Sequence, residues 1–220
     1  MRHFFTVLFI FLLSLNSSLA GIAILKPYRS EGATVGGGRL DCELLSKLIL
    51  EETNRYRASR GRGALVAFRP LMKAAQDHSQ AMADNDFFTH TNPQDRSQRT
   101  LSDRIRRVNL RPQAYAENIA LTYSQDFREM LAWDKKNRES RSPAFPKHTY
   151  RTLAQSVTQQ WINSRGHREN MLGKSYTFIG FGFASARDAR GFERIYCVET
   201  FCSPELVSKT VTKTSGDPIH

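Results

Sequence analysis

The chain has 220 residues, with 32 Lys and Arg against 21 Asp and Glu for a formal charge of +11. Its length suits one well-buried domain and leaves little for a second, and three cysteines exclude more than one disulfide within the chain. The positive charge favours anionic surfaces such as lipid headgroups or cell-wall polymers, and the export signal at the amino terminus excludes nucleic acid as the expected partner.

The opening MRH is followed by the apolar run FFTVLFIFLLSL and a small-residue site at Ser18-Leu19-Ala20, the pattern of a signal peptide over residues 1–20. Polar Asn16 arrives too soon for a membrane anchor of about 20 apolar residues. The remaining chain is expected to be exported, to the periplasm or outside the cell, with no transmembrane segment after cleavage. Residues 21–40 include GATVGGG without an apolar period and predict a flexible lead-in.

A domain over 41–202 then begins. Leu44, Leu45, Leu48, Ile49 and Tyr56 recur at helical spacing from about Asp41 to Ser59, with Gly61 and Gly63 as the stop. A second helix starts at Pro70 and aligns Leu71, Ala74, Ala75, His78 and Met82, which makes His78 a half-buried core residue. Thr100 and Asp103 form a capping box for a third helix with the apolar face Leu101, Ile105 and Val108. Residues 113–121 read as a short strand. Residues 124–150 hold a short helical pattern at Phe127, Met130 and Leu131 and then the proline-broken DKKNRESRSPAFPKH, an insertion of unusual length. A fourth helix carries Leu153, Val157 and Trp161 and ends at Ser164-Arg165-Gly166. FIGFGFAS and FERIYCVETF, joined by ARDARG, predict a closing hairpin. Residues 203–220 predict a loose tail.

If YCVETFC is one strand, five steps of about 3.3 Å hold Cys197 and Cys202 roughly 16 Å apart, beyond disulfide reach. A bridge would instead join Cys42 to one of them. Cys202, at the end of the strand where the backbone can adjust, is favoured over Cys197, and three buried thiols are the alternative.

Several motifs fail on spacing. GHRENMLGKS ends like a phosphate-cradling loop, but Arg168 stands where its first glycine is required. His167-Arg168-Glu169 imitates a zinc deaminase H-x-E without the following P-C-x-x-C. No H-E-x-x-H and no G-x-S-x-G occurs, so the commonest exported hydrolase signatures are missing. Six arginines between 96 and 111, with Arg104, Arg107 and Arg111 near one helical face, suggest an anion-binding rim.

What remains is FFTHTNPQD around His90, AENIA around Glu117 and WINSRGHREN around His167. In this order, with TNRYR near Asn54 and IGFGFA opening the hairpin, they resemble the CAP superfamily (SCP/TAPS), which includes cysteine-rich secretory proteins, antigens and pathogenesis-related proteins. The short S-x-G-H-R form is similar to the bacterial secreted branch.

The resemblance implies an α+β fold, a three-layer α-β-α sandwich with a central antiparallel sheet, and a cleft with two histidines and acidic residues that hold zinc in some members. His90 and His167 fall on the two histidines, as metal ligands, and Glu117 on the glutamate, as a weak ligand or a holder of bound water; the same three are the catalytic candidates. Where the eukaryotic pattern has a further glutamate, this chain has Ser164, for which Glu169 is the possible substitute. Asn118 is expected to tie loops together. Three functions follow: a monomeric module binding anionic lipid or wall polymer, a zinc-assisted peptidase or esterase using the same cleft, and a structural protein contacting another envelope or host protein.

Overall fold

The computed structural model describes residues 29–127 and 146–204. The signal peptide expected over residues 1–20, the helical pattern expected at Met130 and Leu131, and the tail expected beyond 204 lie outside the described residues. Helix α1 spans Cys42–Ser59, strand β1 Val66–Ala67, α2 Arg69–Asp84, α3 Leu101–Arg107 and β2 Tyr115–Tyr123. Then come α4 at Tyr150–Asn163, α5 at Arg165–Met171, β3 at Phe178–Arg187 and β4 at Glu193–Cys202.

Local chemistry sets these boundaries. The Asp41 carboxylate accepts from the Leu44 amide to start α1, and the chain leaves that helix through Gly61 at a φ of +65°, a conformation glycine adopts without a Cβ clash. Both halves of the Thr100–Asp103 capping box form at α3, and Thr149 with Thr152 makes another at α4, so orphan amides at each start have partners. Ser164 takes an extended conformation (φ −83°, ψ 125°) that separates α4 from α5, a short helix that the sequence pattern did not reveal.

The sheet has the order β1-β3-β4-β2. β3 pairs antiparallel with β4 and β4 with β2, while β1 adds two parallel pairs to β3. Side chains alternate between faces. On one face α1 and α4 bury Leu48, Ile49, Val157 and Trp161 against Phe181, Phe183, Cys197 and Phe201. On the other, α2 sets Ala75 and Met82 against Ile119, Ala184 and Val198, and α3 packs Ile105 beside Cys202. The molecule is the expected three-layer α-β-α sandwich.

Helix α2 rests directly on β3 because Gly180 and Gly182 have no side chains. A Cβ on Gly180 would overlap the backbone of Leu71 and Met72, and one on Gly182 the backbone of Ala75 and Gln76. Gly182→Ala is therefore expected to destabilise the fold by about 1–3 kcal/mol through overpacking, read as a lowered urea midpoint; an unchanged midpoint would show that α2 can lift off the sheet without cost.

Two expectations are corrected here. No disulfide forms among the three cysteines, and Cys42 cannot reach Cys202. Cys42 packs on the α1/α4 face, with its thiol donating to the Phe183 carbonyl at 3.6 Å, whereas Cys202 faces α2 and α3. The sheet lies between them. Within the 21–40 lead-in, residues 29–40 are seated: Val35 is fully buried, its amide donates to the His148 carbonyl at 2.8 Å, and Thr34 bridges Thr149. One buried valine among glycines carries no period, which is why the sequence reads as loose. The ends of the 124–150 insertion are pinned together by the Gln125–Lys147 bridge and by the Asp126 backbone amide donating to the Pro146 carbonyl at 2.8 Å.

Candidate functional site

Strand β2 lies at the edge of the sheet, so its consecutive residues Glu117 and Asn118 project to opposite faces. Each enters a separate polar network.

Glu117 points toward α2 and α3 and is 7% exposed. Arg104 Nη2 donates to its Oε2 at 2.6 Å, and His90 Nδ1 donates to its Oε1 at 2.9 Å. Burial acts to raise the Glu117 pKa. The hydrogen bond from His90 and the charge of Arg104 outweigh it, and the carboxyl is held below its ordinary range. Arg104 is itself 1% exposed. Its guanidinium also donates to the carbonyls of Gln98 at 3.1 Å and His90 at 3.2 Å, so one side chain ties α3, the histidine loop and β2 together.

The loop that carries His90 is shaped by Asn92, whose Oδ1 accepts from the amides of Gln94 at 2.9 Å and Asp95 at 3.2 Å, a local turn. The His90 side chain is 54% exposed. Its Nδ1 hydrogen is committed to Glu117, which leaves Nε2 as an acceptor. His78 is wholly buried and not half-buried as its helical position suggests. Its Nε2 donates to the Thr89 carbonyl at 3.0 Å and lies 4.0 Å from Glu117. Burial pulls its pKa down to about 4, so it stays neutral through the physiological range.

On the opposite face, Asn118 is wholly buried. Its Nδ2 donates to the His167 carbonyl at 3.1 Å and to Glu199 Oε2 at 3.1 Å, and its Oδ1 accepts from Asn170 at 2.9 Å. Asn118 thus ties β2 to helix α5 and to β4, where the sequence suggested a tie between loops. Glu199, its cross-strand partner on β4, is wholly buried and accepts from the Thr53 hydroxyl at 3.1 Å. Burial pushes its carboxyl up to about 8, so Glu199 is protonated at neutral pH.

His167, on α5, is held by its backbone through Asn118. Its ring hydrogen-bonds to neither Glu117 nor His90. Burial lowers its pKa, and the nearby His90 lowers it further, as expected for two imidazoles sharing a neighbourhood. Glu169 does not substitute for an acid at Ser164: it is exposed and paired with Arg165 at 2.9 Å. Arg104 leaves the predicted rim for the interior, while Arg96, Arg99, Arg106, Arg107 and Arg111 stay exposed.

The structure thus joins His90 to Glu117, places His167 close by, and adds Arg104, His78 and Glu199. The signal for Arg104 was present: positions 101, 104, 105 and 108 share one helical face, so an arginine stood in the apolar stripe. Among the described residues, no three His, Cys, Asp or Glu side chains are grouped to hold a metal, and no helix is long and apolar enough to cross a membrane.

Comparison with known proteins adds the lineage. The model of the CAP family, described as the cysteine-rich secretory protein family, matches residues 50–201. An uncharacterized membrane protein of Bacillus subtilis, YlbC, is 28% identical over 136 residues, covering 62% of this chain and 30% of its own. A second uncharacterized Bacillus subtilis protein, YkwD, is 26% identical over 140 residues, covering 64% and 42%. The crystal structure of an extracellular protein containing a SCP domain from Bacillus anthracis superposes with a TM-score of 0.50 at 24% identity, covering 76% of this chain and 45% of that one. The chain spans less than half the length of each of these relatives.

Proposed function

The chain belongs to the CAP family of cysteine-rich secretory proteins, and from that premise we propose that it is an exported binding module for anionic envelope surfaces, lipid headgroups or wall polymers, and not a hydrolase. The observation that carries this reading is the engagement of both Glu117 oxygens, one by Arg104 and the other by His90. A carboxylate so held, with a lowered pKa, is a poor proton carrier at neutral pH. It works as a clamp that fixes the His90 loop and α3. The exposed Arg106 and Arg107 of α3, with Arg96 and Arg99 just before it, then form a cationic rim on a rigid base. The apolar leader read in residues 1–20, and the description of the Bacillus anthracis relative as extracellular, support export.

Zinc is the second reading, favoured by the His90 Nδ1 contact to Glu117, because a carboxylate behind a ligating histidine fixes its tautomer. His90 and His167 would hold the ion, and bound zinc would supply a polarised water. Protein zinc sites use three or four ligands, and Arg104 occupies the carboxylate that could be a third. The donor set therefore fits an exchangeable ion and not a resident cofactor.

The test is sedimentation of the full chain with phosphatidylcholine vesicles carrying phosphatidylglycerol. Binding is expected at low salt, to fade as salt rises, and to fall several-fold in Arg106→Ala/Arg107→Ala. Absence of binding at low salt removes the reading. Chelator-sensitive cleavage of peptide or ester substrates, lost in both His90→Ala and His167→Ala, replaces it with the zinc hydrolase.

A further inference from the structure

A pocket of about 330 Å³ lies at the carboxyl end of α1, between the 61–64 loop and residues 174–177. It shares no lining residue with the histidine cleft or the arginine rim. Its charged lining residues are Arg57, Arg62 and Lys174, all cationic.

None of the three cations has a carboxylate partner among the described residues. Arg57 is 2% exposed, yet its guanidinium donates only to carbonyls: Gly63 at 2.8 Å, Met171 at 2.5 Å and Gly173 at 3.2 Å. Arg62 Nε donates to the Leu172 carbonyl at 3.1 Å. Among the described residues, Lys174 has no hydrogen-bond or ion-pair partner, and the loop amides of Gly63 and Ala64 donate to no acceptor. Among the described residues, the acid whose charge reaches Arg57 is Glu199, and burial pushes its carboxyl up to about 8.

Buried arginines ordinarily meet a carboxylate or another anion, because an uncompensated charge away from water is costly. Here one is buried, and two more cations gather beside it. Burial lowers the Arg57 pKa, and the neighbouring Arg62 lowers it further. Open loop amides beside cationic side chains are the ordinary means of holding tetrahedral oxyanions.

We propose that this pocket is a binding site for a phosphate-type oxyanion, held by Arg57, Arg62 and Lys174 together with the open amides of Gly63 and Ala64. The ligand is free phosphate, a soluble phosphomonoester or the exposed phosphate of a lipid headgroup; all present the same oxygens.

The experiment titrates inorganic phosphate into the full chain and follows backbone amide resonances. Saturable shifts are expected at residues 61–64 and 174–177, with affinity weakened roughly tenfold or more in Arg62→Ala/Lys174→Ala, given the strength of charge-assisted hydrogen bonds, and unchanged in Arg106→Ala/Arg107→Ala. Arg57 is left intact because it also fastens the loops. A parallel arm sediments the same proteins with phosphatidylcholine vesicles carrying phosphatidic acid. Loss of the vesicle-bound fraction specific to the pocket variant assigns the headgroup as the source; phosphate binding without that loss assigns a soluble one. Phosphate affinity equal in the pocket variant and the parent chain, or no saturable shift with no vesicle effect of the pocket variant, overturns the proposal. Because the rim variant is scored separately, failure of the pocket and failure of the surface-binding reading are distinguishable.

Discussion

Arg104→Ala is expected to cost about 3–5 kcal/mol of folding stability, the usual penalty for removing one partner of a buried ion pair. The loss would come less from the missing attraction than from what stays behind. Glu117 is only 7% exposed, and without the guanidinium its remaining hydrogen bond comes from His90, whose side chain is half in solvent. The Gln98 and His90 carbonyls, which also accept from Arg104, lose a donor together with it. For a domain of this size the corresponding fall in melting temperature is roughly 10 °C. Arg104→Met combined with Glu117→Gln should recover part of the stability, because no uncompensated charge is then buried. Urea unfolding of Arg104→Met, of Glu117→Gln and of the double closes the cycle. A loss below about 1 kcal/mol for Arg104→Ala would show that Glu117 finds another partner or protonates at little cost.

The second large effect concerns Glu199 and depends on pH. Its carboxyl is pushed up to about 8 in the folded state from an ordinary 4.5. Below pH 4.5 it is protonated whether the chain is folded or not, and it makes no difference to stability. Between 4.5 and about 8 the unfolded chain gives up the proton and the folded chain keeps it. The folded state therefore binds more protons, and stability falls as pH rises across that window. The total is on the order of 3–5 kcal/mol at 1.36 kcal/mol per unit. Glu199→Gln keeps an acceptor for Asn118 and turns an amide toward the Thr53 hydroxyl while removing the titration. This variant should match the parent chain near pH 4.5 and exceed it in stability at pH 8, where both are compared by urea unfolding. A constant difference across the window would mean that Glu199 ionises in place, with Arg57 or water compensating.

Where the chain repeats, it was readable. The 3.6-residue period gave α1, α2 and α4, the Thr100 box gave the start of α3, and the alternation of β-formers gave the terminal hairpin. Strand β1, of two residues, is too short for any period to register. Helix α5 follows α4 after one extended residue and contains Gly166 and no apolar stripe; tertiary contacts hold it, among them Asn170 donating to Asn118. The pairing of His90 with Glu117 was legible from the family resemblance of the stretches around them. Their electrostatic surroundings were only half legible: Arg104 stands visibly in the apolar stripe of α3, whereas Glu199 looks like an ordinary surface charge until the face of β4 is known. The Cys42–Cys202 pairing failed for the same reason: spacing along β4 was counted correctly, but which side of the sheet each thiol occupied was not visible.

Because Glu117 and Asn118 are adjacent on one edge strand yet serve opposite faces, they act as a lock on alignment. Sliding β2 by a single position along β4 would turn the carboxylate toward Asn170 and the protonated Glu199, strand Arg104 without its counter-ion and push an amide under α3. A misaligned edge would thus incur charge penalties on both sides of the sheet at once. That double check allows a peripheral strand, hydrogen-bonded on one flank only, to settle into a single pairing as the molecule folds.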